Sequence, residues 1–217
     1  MAAITTRILG VSIESFFKAP ILYKDAHCDN IAQKCFEAFS SYGLQPEKIA
    51  VRTADPAFNY DLSFVLFNGN GTFKFSSEKI ELSLQNATSD KDLEVVADCI
   101  AKVYEHLPLP EVSNTVISGN SQTTAASVDE IQKYLVRHAD PSKGVVHAGA
   151  IAYIICDSWP QEIRMTVDRS FVYKEGLFLT WTTNFPGKLS RDLLKSLQKA
   201  CEEAASKLDL TFPPDPK

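Results

Sequence analysis

Apolar residues recur along this chain with two periods, and each period predicts a different element. Arg7 to Phe17 reads as a strand carrying Ile8, Val11, Ile13 and Phe16. Cys28, Ile31, Ala32, Cys35, Phe39 and Tyr42 follow at steps of three and four, which predicts a helix over 26–42. Gly43 and Pro46 supply its stop signals. The period then changes to two. Lys48 to Thr53 is a short strand, and Tyr60, Leu62, Phe64 and Leu66 alternate with Asp61, Ser63 and Val65 as in a half-buried strand. Asn68-Gly69-Asn70-Gly71 predicts a hairpin, because Asn and Gly tolerate the positive φ that tight turns need. Phe73 and Phe75 lie on one face of the returning strand, and Ile80, Leu82 and Leu84 on one face of the next. The helical period resumes near Ser89 with Leu93, Val96, Ala97, Ile100, Tyr104 and Leu107, and Pro108 and Pro110 end it.

A similar order follows in the second half. Val112 to Asn120 is a strand. Ser127 and Glu130 form a capping box ahead of a helix burying Val128, Ile131, Leu135 and His138. Val145 to Cys156 is strongly apolar and reads as a central strand, and because both of its phases are apolar it leaves apolar area for a second layer, a partner or a ligand. Glu162 to Tyr173 and Leu177 to Thr183 form a hairpin turned at Lys174-Glu175-Gly176. Leu189, Leu193, Leu197, Cys201, Ala204 and Leu208 stripe a last helix over 188–208.

Both halves therefore read β-α-β(3–4)-α. The fold class expected is α+β: two tandem repeats, 1–108 and 109–212, forming a curved antiparallel sheet with helices on one face, and a loose tail over 213–217. Locally, Phe75-Ser-Ser-Glu-Lys79 leads into Ile80 to Leu84 and a capped helix. This segment and the element order resemble the TATA-box-binding-protein-like architecture. The resemblance implies two units sharing one sheet with helices over its convex face. That family has basic halves. Here residues 1–108 hold 10 basic and 14 acidic residues, net −4, and residues 109–217 hold 12 and 13, net −1. DNA binding is therefore not carried over, since phosphate contacts need clustered Lys and Arg.

The net charge of −5 likewise argues against nucleic acid and anionic membrane as specific partners. No stretch approaches the roughly 18 apolar residues of a membrane span, and Met1 to Arg7 lacks the apolar core of a secretory signal. The cysteines, Cys28, Cys35, Cys99, Cys156 and Cys201, are odd in number and scattered, which suits free thiols in a reducing, cytoplasmic compartment.

Candidate chemistry is sparse. His27, Cys28 and Cys35 share one helix, but Cys28 and Cys35 lie two turns apart, roughly 10 Å, too far for one tetrahedral zinc. The sequence contains no G-x-S-x-G, no phosphate-binding glycine loop and no C-x-x-C. No catalytic, cofactor or metal site is expected, and the thiols read as inert core residues. Arg164, Asp168 and Arg169 fall mid-strand and suit a solvated sheet face. Trp159 sits in the turn Asp157-Ser158-Trp159-Pro160, where an exposed indole suits a contact site.

The function expected is that of a non-catalytic interaction protein, a subunit of a larger assembly, docking a protein partner or a second copy on the sheet face away from the helices. Phe67, Phe178, Trp159 and Arg164 are the candidate surface residues, with Phe73 and Phe75 as further aromatics of that face. The alternative is a small-molecule or lipid binder with a cavity between sheet and helix. An enzyme with an unrecognised site is the third reading.

Overall fold

A computed structural model describes residues 5–21, 28–55, 59–86, 90–124, 149–171 and 176–208. The capping box at Ser127, the helix carrying His138, His27, Val145 and the 213–217 tail lie outside the described residues. The fold is α+β. The elements run β1 (Thr5–Phe17), α1 (Cys28–Phe39), β2 (Ala50–Asp55), β3 (Asn59–Leu66), β4 (Gly71–Ser76), β5 (Lys79–Gln85), α2 (Asp90–His106), β6 (Val112–Thr124), β7 (Ala150–Cys156), β8 (Trp159–Arg169), β9 (Gly176–Pro186) and α3 (Arg191–Lys207). The nine strands form one antiparallel sheet in the order β2-β3-β4-β5-β1-β6-β9-β8-β7. The residues divide into two compact units, one of Val11–Ile117 with Asn184–Leu194, the other of Met1–Gly10, Ser118–Thr183 and Lys195–Lys217.

In the first unit the period of two decides which side of the strands is dry. Tyr60, Leu62, Phe64, Leu66, Phe73, Phe75, Ile80 and Leu82 are all buried on one face. The apolar stripes of α1 and α2, with Ile31, Cys35, Phe39, Val96, Ile100 and Val103 buried, close over them. Phe39 is the keystone. Its ring centroid lies 4.9 Å from that of Phe73 and 5.9 Å from that of Phe64, tilted and edge-on as aromatic quadrupoles prefer.

Phe73 and Phe75 thus face the helices and are fully buried, not on the outer face expected for them. The outer phase of this unit is polar apart from Val65 and Phe16, over whose ring Lys79 sits at 5.5 Å. Lys79 binds the Glu14 carboxylate and lies 3.5 Å from Glu81, Thr72 and Ser83 hydroxyls share a 2.9 Å hydrogen bond, and Asp61, Lys74 and Gln85 are exposed. Over these strands the expected apolar docking face is instead a solvated, ion-paired one.

The hairpin between β3 and β4 forms where Asn68-Gly69-Asn70 predicts it, but the left-handed conformation starts one residue early, at Phe67 (φ 54°), and runs through Asn68 and Gly69. The Phe67 ring folds over Gly71, where a Cβ would come within 2.4 Å of it. A buried polar bracket completes the unit. Ser15 on β1 bonds the Tyr104 hydroxyl of α2 at 2.5 Å and the Thr115 hydroxyl of β6 at 3.0 Å, and Thr115 donates to the Gly187 carbonyl at 2.7 Å. The hydroxyls of Ser15, Tyr104 and Thr115 therefore satisfy one another, as buried polar groups require.

Removing the keystone tests this account of the core. Phe39→Ala deletes a side chain with no exposed area from an aromatic cluster. It is expected to lower unfolding free energy by about 3–5 kcal/mol, measured by urea denaturation. A loss below about 1 kcal/mol contradicts the packing described.

Candidate interaction surface

The second unit repeats the logic of a dry and a wet phase. Ile163, Met165 and Val167 of β8 and Leu177, Leu179, Trp181 and Thr183 of β9 are buried on one face, against Leu197, Ala200, Cys201 and Ala204 of α3. Trp181 lies flat over Gly119, where a Cβ would come within 2.1 Å of the indole, so only glycine fits beneath it. Ile154 and Cys156 of β7 share this dry phase, and the Cys156 thiol donates to the Ala200 carbonyl at 3.3 Å.

β7 is not central. Among the described residues it is the last strand of the sheet, paired on one side only, with β8. Its other phase, Ile151, Tyr153 and Ile155, points away from the core with exposures of 55%, 63% and 76%. A strand apolar in both phases normally signals burial on both faces. Here one phase is core and the other is a strip of large apolar side chains in water. The pairing places Ile151 beside Thr166 and Tyr153 beside Arg164, and on β9 Thr182 lies beside Arg164 and Phe178 beside Asp168. Arg164 is exposed and Phe178 partly so. The outer face of this unit therefore grades from a polar interior, Thr166, Thr180 and Thr182, to an apolar margin on β7.

Two of the four residues singled out from sequence, Arg164 and Phe178, are thus on the outer face. The other two are not. Trp159 does not sit in the turn. It opens β8, is 2% exposed, and its indole N–H donates to the Thr183 hydroxyl at 2.8 Å. The turn itself is only Asp157 and Ser158, closed by pairing of Cys156 with Trp159, and this shorter turn carries Trp159 into the dry phase. Phe67 is partly buried with its ring edge-on to Tyr42 at 6.1 Å, on the helix side where Gly71 leaves room. The residues that sequence reasoning missed are Ile151, Tyr153 and Ile155. The signal for them, a strand apolar in both phases, points to apolar area left for a partner, but the pattern alone does not say which of its residues face outward.

α3 holds the tip of the β7–β8 hairpin. Glu203 accepts from the Asp157 N–H at 2.9 Å, from the Ser158 N–H at 3.3 Å and from the Ser158 hydroxyl at 2.9 Å, and Lys207 lies 3.0 Å from the same carboxylate. The Asp157 amide, then Lys207 and the Ser158 hydroxyl, hold the Glu203 carboxyl down to about 2. Lys207 also donates to the Ile155 carbonyl at 2.6 Å.

Cys35, Cys99, Cys156 and Cys201 are free and buried. Burial raises all four thiols, that of Cys99 to about 12, so thiolate nucleophiles are not formed at neutral pH. Among the described residues no three His, Cys, Asp or Glu side chains cluster as metal ligands, and no described helix is long and apolar enough to cross a membrane. Comparison with known proteins gives no match to a family model and none to a curated protein sequence.

Two measurements check this environment. A carboxylate whose folded pKa is depressed adds stability above its unfolded value, and the contribution drains away as pH falls toward the folded value. Glu203→Gln is therefore expected to be less stable than the parent at pH 7, with the difference closing between about pH 4.5 and pH 2. A difference independent of pH contradicts the clamp. In native protein at pH 8 the four described thiols are expected to stay silent toward an aromatic disulfide reagent and to react fully after denaturation. Rapid native reaction at any of the four contradicts their burial.

Proposed function

We propose that this chain is a non-catalytic interaction protein that docks a protein partner on the outer face of β7, with Ile151, Tyr153 and Ile155 as apolar contacts and Arg164 at their side. The observation that carries this reading is the strip of three large apolar side chains, each more than half exposed, on one face of an edge strand. Burying such side chains stabilises a complex by about 1.5–3 kcal/mol each before the costs of association. Contiguous exposed apolar surface on a folded protein marks contact sites more often than chance. The polar, ion-paired outer face of β3, β4 and β5 favours β7 over the whole sheet as the docking site.

The reading includes a tandem duplication with its boundary near Pro108 to Glu111, giving repeats over 1–108 and 109–212 in a TATA-binding-protein-like arrangement. Its support is the strand order, which runs β1, β5, β4, β3 outward on one side of the sheet and β6, β9, β8, β7 on the other. Residence in the cytoplasm is part of the same reading and rests on the free thiols. A small-molecule or lipid ligand is the competing function, and a thermal-shift screen with fatty acids and metabolites separates it.

The direct test is Tyr153→Asp, which places a charge in the strip without touching the core. Tagged parent and variant are purified side by side from the cells that make the protein, and the retained proteins are identified by mass spectrometry. A stoichiometric partner on the parent that is lost at least about 10-fold on the variant, with circular dichroism unchanged, is the expected outcome. The same proteins retained in the same amounts on both contradict the reading.

A further inference from the structure

We propose that the partner on β7 is a second copy of this chain, paired strand to strand about a two-fold axis through Tyr153. This inference rests on the docking reading above and gives it an occupant. Three features of β7 lead to it.

The first is the strand's bare edge. Among the described residues β7 is hydrogen-bonded to a neighbouring strand on one side only, so its other side presents an open edge. Natural edge strands discourage a second strand with a lysine, a proline, an inward charge or a bulge. Ala150-Ile-Ala-Tyr-Ile-Ile-Cys156 carries no lysine, proline or charge, and its one register shift against β8, between Ile154 and Cys156, lies at the hairpin end beyond Tyr153.

The second is the order of side chains on the exposed face. Ile151, Tyr153 and Ile155 read the same in both directions about Tyr153. A two-fold interface requires a patch that is complementary to itself. An antiparallel pair centred on Tyr153 sets Ile151 of each copy against Ile155 of the other and the two tyrosines against each other. Such aromatic and β-branched cross-strand pairs are the ones that stabilise sheets. An unrelated partner places no such demand on the order of residues, whereas a second copy needs it.

The third is charge. The strand itself is uncharged, so pairing buries no ion. The nearest basic group on the outer face, Arg164, lies one strand in from the edge beside Tyr153. Across the pair the two Arg164 strands are three strand spacings apart, about 14 Å. That exceeds the screening length of roughly 8 Å at physiological salt, so their repulsion is weak.

Lys207 guards only the end of the strand. It donates to the carbonyl of Ile155, which falls between the registered pairs Ile154–Ile163 and Cys156–Trp159. A carbonyl oxygen has a second lone pair, so this contact does not close the strand to a partner.

The test uses the full chain and two readouts. Sedimentation velocity over a range of concentrations is expected to show a monomer–dimer equilibrium. Tyr153→Asp sets two carboxylates face to face and is expected to weaken the dimer about 100-fold or more. Cysteine cross-linking reads the register. Under mild oxidation, Tyr153→Cys is expected to form a covalent dimer with itself. Ile151→Cys alone is not, whereas Ile151→Cys mixed with Ile155→Cys forms the mixed dimer. The unmodified chain is the control for its own cysteines. A parent that stays monomeric at every concentration overturns the proposal, as does a dimer indifferent to Tyr153→Asp. Self-cross-linking through residue 151 as efficient as through residue 153 also overturns it. A monomeric parent that still loses a different bound protein on Tyr153→Asp overturns self-pairing and leaves the docking reading standing. Independence of both from Tyr153 overturns both.

Discussion

Side chains of a strand alternate between two faces, and among the described residues helices cover only one of them. That constraint governs everything else. In the first unit α1 and α2 cover the phase of Phe64, Phe73 and Phe75, so the opposite phase meets water and is polar, with Lys79 set between Glu14 and Glu81. In the second unit α3 covers the phase of Met165, Trp181 and Cys156, and β8 and β9 answer with Arg164, Thr166, Thr180 and Thr182 on the other side. β7 alone among the strands of this unit sets bulky apolar groups in a row where water should be. A feature that departs from a rule obeyed by its neighbours is where function is sought.

The margin of the sheet is also where the molecule has fixed its geometry. Glu203 and Lys207, one helical turn apart on α3, hold the Asp157–Ser158 turn and the Ile155 carbonyl. Edge strands fray readily because half of their backbone groups lack a neighbouring strand. An ionic clamp at the hairpin tip keeps β7 extended, and an extended strand presents Ile151, Tyr153 and Ile155 in line. Pre-ordering of this kind reduces what association must spend on ordering the surface.

Much of the fold was legible in the sequence because it follows from period. The stripes Ile31-Cys35-Phe39 and Leu197-Cys201-Ala204 and the alternations Tyr60–Leu66 and Ile80–Leu84 all face the core as their spacing predicts. What was not legible depends on neighbours far away in the chain. Whether a doubly apolar strand such as Ala150–Cys156 is central or marginal is set by strand order, which no local pattern encodes. The position of Trp159 turned on whether the hairpin loop held two residues or more, a one- or two-residue matter that reverses which face a side chain takes. Phe67 lay beyond reach for a similar reason: its place follows from a left-handed backbone at a residue type that seldom adopts one.

On this view β7 is an open edge that becomes a paired strand. Hydrogen–deuterium exchange of those backbone amides across Ile151 to Ile155 that point away from β8 measures this directly, because an amide exchanges freely at a bare edge and slowly within a ladder. Exchange at these outward amides is expected to slow as protein concentration rises, while the amides of β4, enclosed between β3 and β5, stay protected throughout. Outward amides that are equally slow, or equally fast, at all concentrations would contradict edge pairing.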